Sequence, residues 1–137
     1  MQPKISLFLL STLSACIMQY AASAQGLTIN NGGSVVVNGA ANIVVNNGGI
    51  SNAGTFNAGT GTVLFTGATA ASVSGTSNTA FYNFTIDKAG NTIKLLRNID
   101  VTNTLGMTNG FIDLNGSDLN LGATGSIAGE NPNARVI

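Results

Sequence analysis

Short clusters of Val, Ile, Leu and Phe recur about every eight residues along this chain, and turns rich in Asn and Gly separate them. The first three clusters are Leu27–Ile29, Val35–Val37 and Ile43–Val45. Each cluster is too short to bury its apolar side chains by itself. Repeated units of this kind share a core only when successive turns of the chain stack on one another. The rhythm therefore predicts an all-β chain that coils.

The turns between the clusters also allow a second arrangement. Asn-Gly pairs occur at 31–32, 38–39, 47–48, 109–110 and 115–116, and such pairs favour both positive φ and tight hairpins. A meandering antiparallel sheet therefore competes with the coil. The nearly uniform steps and small, uncharged outward residues favour the coil, because equivalent positions stack about 4.8 Å apart in it. We predict a right-handed parallel β-helix (β-solenoid) of about five coils, each with three strands of about three to five residues in roughly 20 to 25 residues.

Pairs of inward apolar residues, separated by one outward residue, continue the pattern. In the segment 81–87, Phe84 and Ile86 lie on one face, with Asn83, Thr85 and Asp87 on the other. The later pairs are Ile93 and Leu95, Ile99 and Val101, Leu105 and Met107, Ile112 and Leu114, and Leu119 and Leu121. These residues form the predicted core.

Charge is scarce and unevenly placed. Only 7% of the 137 residues are charged, the net charge is zero, and residues 25–86 contain no Asp, Glu, Lys or Arg. A chain of this length forms one folded domain at most. Proteins that bind nucleic acid neutralise phosphates with a basic stripe. We therefore predict no nucleic-acid partner.

The first 24 residues have the features of an export signal. Lys4 is followed by the largely apolar stretch Ile5–Met18 and by the small residues of Ala22–Ala24, which predicts a signal-peptide helix and cleavage between Ala24 and Gln25. The apolar stretch is too short and too interrupted for a membrane span, and no later segment could span as a helix. Residues 25–137 are then the solenoid domain, which is secreted or held at the outer cell surface.

The signal segment carries one alternative. Leu13–Cys16 looks like a lipobox, in which Cys16 would be lipidated and become the first residue. The apolar stretch continues past Cys16, which favours the plain signal peptide. After ordinary cleavage no cysteine remains, so stability must come from core stacking and backbone hydrogen bonds rather than disulfides.

Six segments carry a family resemblance: Gly61–Gly67, Phe81–Lys88, Ile99–Leu105, Gly110–Gly116, Leu119–Gly122 and Gly125–Glu130. They resemble the N-terminal β-helical repeat region of large, adhesin-like surface proteins of Bacteroidetes that are type IX secretion substrates. The resemblance implies a signal peptide, a long β-solenoid, export to the cell surface and a C-terminal sorting domain. Here the chain stops at Asn131–Ile137, within what would be a repeat. We therefore expect the solenoid domain to be incomplete at its C-terminal end.

The side chains available for chemistry are few. The chain has no His, and Cys16 is its one cysteine, which excludes His-based triads, thiol nucleophiles and the usual zinc sites from the mature chain. The carboxylates are Asp87, Asp100, Asp113, Asp118 and Glu130. A glycosidase needs two carboxyl groups about 5 to 9.5 Å apart. Polysaccharide lyases on β-helices, which this chain resembles in its repeats, use an acidic calcium cluster with a basic residue nearby. Here Lys94 and Arg97 lie near Asp87 and Asp100 in sequence, but the acids are dispersed rather than clustered. The dispersed positions of the acids instead favour the interpretation that they cap strand ends in solvent. We therefore predict that the chain is not an enzyme and has no cofactor and no metal site.

Two further patterns are structural in our interpretation. Gly116–Leu119 resembles part of a calcium-binding nonapeptide turn, but Asn120 stands where an apolar residue belongs. The many Asn residues predict side-chain amide ladders between neighbouring coils. Rows of Asn and Thr could also bind sugars or ice, but Thr-x-Thr occurs only at 60–62 and 102–104.

These observations predict a non-catalytic, exported surface segment, either structural or adhesive. The alternative is a fragment of a β-helical carbohydrate-active enzyme, of the polysaccharide lyase or glycoside hydrolase type. The expected partners of an adhesive surface segment are glycans or other surface proteins. Because a β-helix has unpaired edges at both ends, end-to-end self-association is also expected.

Overall fold

The computed structural model describes residues 26–137, and all regular structure in this range is β. The strands are β1 (Leu27–Ile29), β2 (Ser34–Val36), β3 (Asn42–Asn46), β4 (Ile50–Asn52), β5 (Thr55–Asn57), β6 (Thr62–Thr66), β7 (Ala71–Gly75), β8 (Thr79–Leu95), β9 (Ile99–Asp113), β10 (Leu119–Leu121), β11 (Ser126–Ala128) and β12 (Ala134–Val136). The predicted signal-peptide helix, the cleavage site at Ala24 and Gln25, and the alternative lipidation site Cys16 lie outside the described residues.

Every pairing between these strands is parallel. The partners lie one coil apart, as Val63 does from Phe84, and side-chain hydrogen bonds between coils join residues 20 to 27 positions apart. Hairpins would instead pair consecutive strands in antiparallel fashion. The parallel β-solenoid is therefore confirmed and the meandering sheet is wrong, while the right-handed sense stays a prediction.

The strands make three faces that run along the solenoid. Face A contains β1, β4, β7, residues 93–95 of β8, residues 111–113 of β9, and β12. Face B contains β2, β5, residues 79–81 of β8, residues 99–101 of β9, and β10. Face C contains β3, β6, residues 83–87 of β8, residues 104–109 of β9, and β11. Five coils are stacked in this way, and β12 begins a sixth.

Two strands are much longer than the sequence predicts. Both β8 and β9 pass through all three faces without a break, instead of ending after three to five residues. Their register shifts between Phe81 and Asn83 and between Ile86 and Asp87. Such shifts let a strand bend while the pairing continues. The two coils therefore turn their corners together, and their hydrogen bonding is continuous.

The inward side chains form stacked columns that meet in one core. On face C, Val63, Phe84 and Leu105 are register partners, and each is at most 1% exposed. Phe84 also contacts Phe65 edge-on at 5.3 Å between ring centroids and stacks on Phe81 at 4.3 Å. Aromatic pairs of this kind add to the free energy gained by burial.

The predicted core pairs are buried through coil four, whereas in coil five only Ile112, which pairs with β12, is buried. Phe84, Ile86 and all the later pairs from Ile93 to Met107 are buried, as is Ile112. Leu114 and Leu119 are only partly buried, and Leu121 is 37% exposed. Among the residues that the structure describes, no further complete coil lies over these side chains. The alternation was therefore predicted correctly, and the position of a coil in the stack decides how much each residue buries.

The outer edge of β12 is covered by the turn that precedes it. Asn131 and Ala134 exchange two backbone hydrogen bonds, of 2.8 and 3.0 Å. The Val136 N–H donates to Oε1 of Glu130 at 3.3 Å, while Ile137 N–H donates to the Ile112 carbonyl on the other side of the strand. Blocked edges of this kind hinder strand addition.

Candidate functional site

The acidic residues are spread over the three faces. Asp87 lies on face C between Thr66 and Asn109 in the register, Asp100 on face B between Ala80 and Asn120, and Asp113 on face A beside Lys94. Asp118 and Glu130 lie in the segments that precede β10 and β12. Asp87 does not come together with Asp100 and Asp113, as a shared catalytic cleft would require.

The corner between faces A and B nevertheless gathers amides and carboxylates from three coils. Asp100 accepts hydrogen bonds from Nδ2 of Asn78 at 2.5 Å and from Nδ2 of Asn120 at 3.1 Å. Asn98 Nδ2 donates to Oδ2 of Asp118 at 3.0 Å, and the Asp118 N–H donates to Oδ1 of Asn98 at 2.9 Å. Each carboxylate therefore stands beside neutral amides, which donate to its negative charge.

Asp100 and the three amides, but not Asp118, line a cavity of about 570 Å³, which we call the corner groove. Its lining includes Asn78, Leu96, Arg97, Asn98, Asp100 and Asn120. Arg97 is half-buried and lines the same cavity as Asp100. Leu96 is 54% exposed and adds an apolar surface. The groove therefore combines hydrogen-bond donors and acceptors with one aliphatic side chain.

A second cavity, of about 370 Å³, opens on face B between the second and third coils. Here β5 pairs only with β2, in a separate two-stranded sheet, and is not paired to β8. Phe56 and Phe81 meet across the gap at 5.8 Å and 60°. Asn52 replaces some of the missing backbone pairing, because its Nδ2 donates to the Asn78 carbonyl at 2.9 Å and to Thr79 Oγ1 at 3.2 Å.

Side chains on face C form an amide ladder between neighbouring coils, as predicted. On face C, Asn103 donates to Oδ1 of Asn83 at 2.7 Å, and Asn83 donates to Oγ1 of Thr62 at 3.3 Å. Thr62 therefore lies under an Asn rather than in the stacked Thr row that an ice-binding face would need. In the turn that resembles a calcium site, Asp118 is a ladder partner of Asn98.

Lys88 is a buried cation outside both cavities. Its side chain is 0% exposed, and its Nζ donates to the Thr66 carbonyl of the preceding coil at 2.9 Å. Burial lowers the pKa of the Lys88 ammonium from its ordinary 10.5. The sequence did not point to this residue, because nothing in its local context separates a buried lysine from an exposed one.

The sequence pointed to Asp100 and Arg97 but not to the amides and Leu96 of the corner groove. Asn98 and Asp118 are 20 positions apart in sequence, as are Asp100 and Asn120, whereas Asn78 and Asp100 are 22 apart. Writing the chain out at this repeat length would place these residues side by side. The signal was therefore present, but only once the length of each coil is known.

Within residues 26–137, no group of three or more His, Cys, Asp or Glu side chains lies close enough to hold a metal ion. The same range contains no helix that is long and apolar enough to cross a membrane. Comparison with family models, with curated proteins and with solved structures gave no match to this chain.

Proposed function

We propose that this chain is a non-catalytic segment of an exported cell-surface protein, and that it serves as a structural spacer or as an adhesive surface. The observation that carries the proposal is the stack of parallel coils, in which the acids are dispersed and outward amides are hydrogen-bonded between coils. Such a stack holds its outward side chains at a fixed spacing, which suits an extended binding surface. The export features at residues 1–24 and the resemblance to Bacteroidetes surface proteins support the same location.

The test of location is surface exposure in a cell that produces the protein. Intact cells are treated with a protease, and the protein is then quantified in the cell envelope and in the medium. We expect the protein in the medium, or at the surface and sensitive to the protease. Full protection of an intracellular pool would contradict the proposal.

The alternative is a fragment of a β-helical carbohydrate-active enzyme. The shared cavity of Asp100 and Arg97 is the observation that favours it. Polysaccharide cleavage is measured for the wild type and for the separate variants Asp87→Asn, Asp100→Asn and Asp113→Asn. Cleavage that only Asp100→Asn abolishes would replace the non-catalytic proposal with the enzymatic one, whereas the absence of cleavage supports the first.

Self-association belongs to the same proposal. In the first coil, β1 and β3 end the main sheet and β2 pairs only with β5, and unpaired strand edges recruit other strands. Other surface proteins or further coils would attach there.

A further inference from the structure

We propose that the corner groove binds a neutral glycan, with Asn78, Asn98 and Asn120 as its hydrogen-bonding groups and Leu96 as its apolar surface. The inference rests on the adhesive form of the proposed function and gives it a site and a class of ligand. Four properties of the groove support it: its amides, its apolar surface, its charge and the hydrogen bonds that position its side chains.

The amides keep hydrogen-bonding capacity for a ligand. An Asn side chain has two N–H groups and a carbonyl oxygen that accepts. Within residues 26–137, Asn78 and Asn120 each use one N–H for Asp100. The remaining N–H and the carbonyl oxygen suit sugar hydroxyls, because each hydroxyl donates one hydrogen bond and accepts others.

The apolar surface suits the ring of a sugar. Leu96 is 54% exposed, and a single exposed leucine needs no explanation on a protein surface. Leu96, however, lines the same cavity as the amides. A pyranose presents C–H groups on the face of its ring and hydroxyls around its rim, so one ring contacts both kinds of surface. Binding cavities typically combine apolar lining with a few convergent polar groups.

The charge of the groove favours a neutral ligand over an acidic one. Arg97 and Asp100 line the cavity together, so their formal charges cancel, and Asp118 lies beside Asn98. An acidic polysaccharide would bring its carboxylates or sulfates towards Asp100 and Asp118, and like charges at short distance repel. Arg97 alone would have to offset that repulsion.

Hydrogen bonds also position the amides of the groove before any ligand arrives. Its side chains come from the third, fourth and fifth coils, and hydrogen bonds to Asp100 and Asp118 hold the amides in place. Ordered side chains reduce the entropy lost on binding. The same hydrogen bonds that stabilise the stack therefore orient the free amide groups.

The experiment uses the side-chain NH₂ signals of the purified, ¹⁵N-labelled protein, which report each Asn directly. Yeast mannan, dextran and a soluble β-glucan are the neutral probes, and polygalacturonate is the acidic one. We expect at least one neutral probe to shift the NH₂ signals of Asn78, Asn98 and Asn120, and not those of Asn83 and Asn103. Absence of shifts with all three neutral probes, or shifts only with polygalacturonate, would overturn the proposal.

Matched variants test whether the groove itself binds. Leu96→Ala should weaken binding of the responding probe at least threefold, and Asn120→Ala at least tenfold. The controls are Val44→Ala, which removes another exposed aliphatic side chain (58% exposed) from the first coil, and Asn103→Ala, which breaks a ladder on face C. If Asn120→Ala fails to fold, Leu96→Ala decides. Equal binding by wild type, Leu96→Ala and Val44→Ala would overturn the proposal, whereas the proposed surface location would fail only in the protease test.

Discussion

Gly110 lies at a corner where the preceding coil leaves no room for a side chain. Its φ of 95° lies in the left-handed region. A Cβ at this position would stand 2.6 Å from the Asn91 carbonyl oxygen and 2.9 Å from Cβ of Lys88. Gly116 has a φ of 77° but no atom within 4 Å of such a Cβ. A substitution at Gly116 therefore tests backbone strain alone, whereas one at Gly110 tests backbone strain together with a steric clash.

We predict that Gly110→Ala destabilises the protein more than Gly116→Ala. The backbone strain of an L-residue costs about 1–2 kcal/mol at either position. The clash at Gly110 adds about 1–3 kcal/mol, as overpacking does in a well-packed core. Urea unfolding of both variants and the wild type measures the difference. Equal decreases in the free energy of unfolding would contradict the prediction and show that the coils around Gly110 accommodate a methyl group without further destabilisation.

We expect Lys88 to make stability depend on pH at alkaline values. Burial lowers its pKa in the folded state below the ordinary 10.5, so the unfolded chain binds more protons between those two pKa values. The free energy of unfolding should therefore rise with pH in that window and level off above 10.5.

We predict that Lys88→Met removes this rise and raises stability at neutral pH, because it no longer buries a charge. Thermal unfolding between pH 7 and pH 10.5 measures the effect. Lys94→Met is the control, since Lys94 is exposed, and it should keep the pH dependence of the wild type. A slope retained in Lys88→Met would assign the pH dependence to another group.

At the scale of the element, the last strands differ in whether the backbone groups on their outer edges are hydrogen-bonded. The turn before β12 satisfies the outer N–H and carbonyl of Ala134 and the N–H of Val136. Within the described residues, β10 and β11 pair only with β9. The covered strand thus lies at the end of face A, and the uncovered strands at the ends of faces B and C.

We predict that Glu130→Ala increases association of the protein, because it frees the Val136 N–H on the edge of β12. Light scattering at equal protein concentration should grow several times faster than for the wild type. Glu130→Gln keeps an acceptor oxygen at the same place and should behave as the wild type does. Identical scattering of Glu130→Ala and wild type would mean that association proceeds through the other edges.

At the scale of the whole molecule, strand pairing joins each coil to its neighbours, as Val63 pairs with Phe84, so we expect stability to be approximately a sum over coils. Val63 and Phe84 are register partners, so deletion of residues 63–83 removes one complete coil and leaves Phe84 in the place of Val63. Solenoids tolerate such deletions with a loss of stability, since each coil adds one interface.

We predict that the protein without residues 63–83 keeps a β-type circular dichroism spectrum and unfolds at a lower urea concentration. Deletion of residues 63–73 removes only a fraction of a coil and brings inward and outward residues out of register, so it should abolish cooperative unfolding. If the two deletions behaved alike, the coil would not be the unit of stability.

The local sequence determined the strands, their inward residues and the coil, because alternation and turn residues act over a few positions. Phe84 and Ile86 are buried for that reason. The tertiary structure alone decided which residues meet one coil apart, because the coils differ in length. Asn78, Asp100 and Asn120 form one groove, and Phe56 contacts Phe81 across the gap between their coils, only after every corner has set the register. Burial of Lys88 is likewise decided by its neighbours in the adjacent coils, which its own sequence context does not contain.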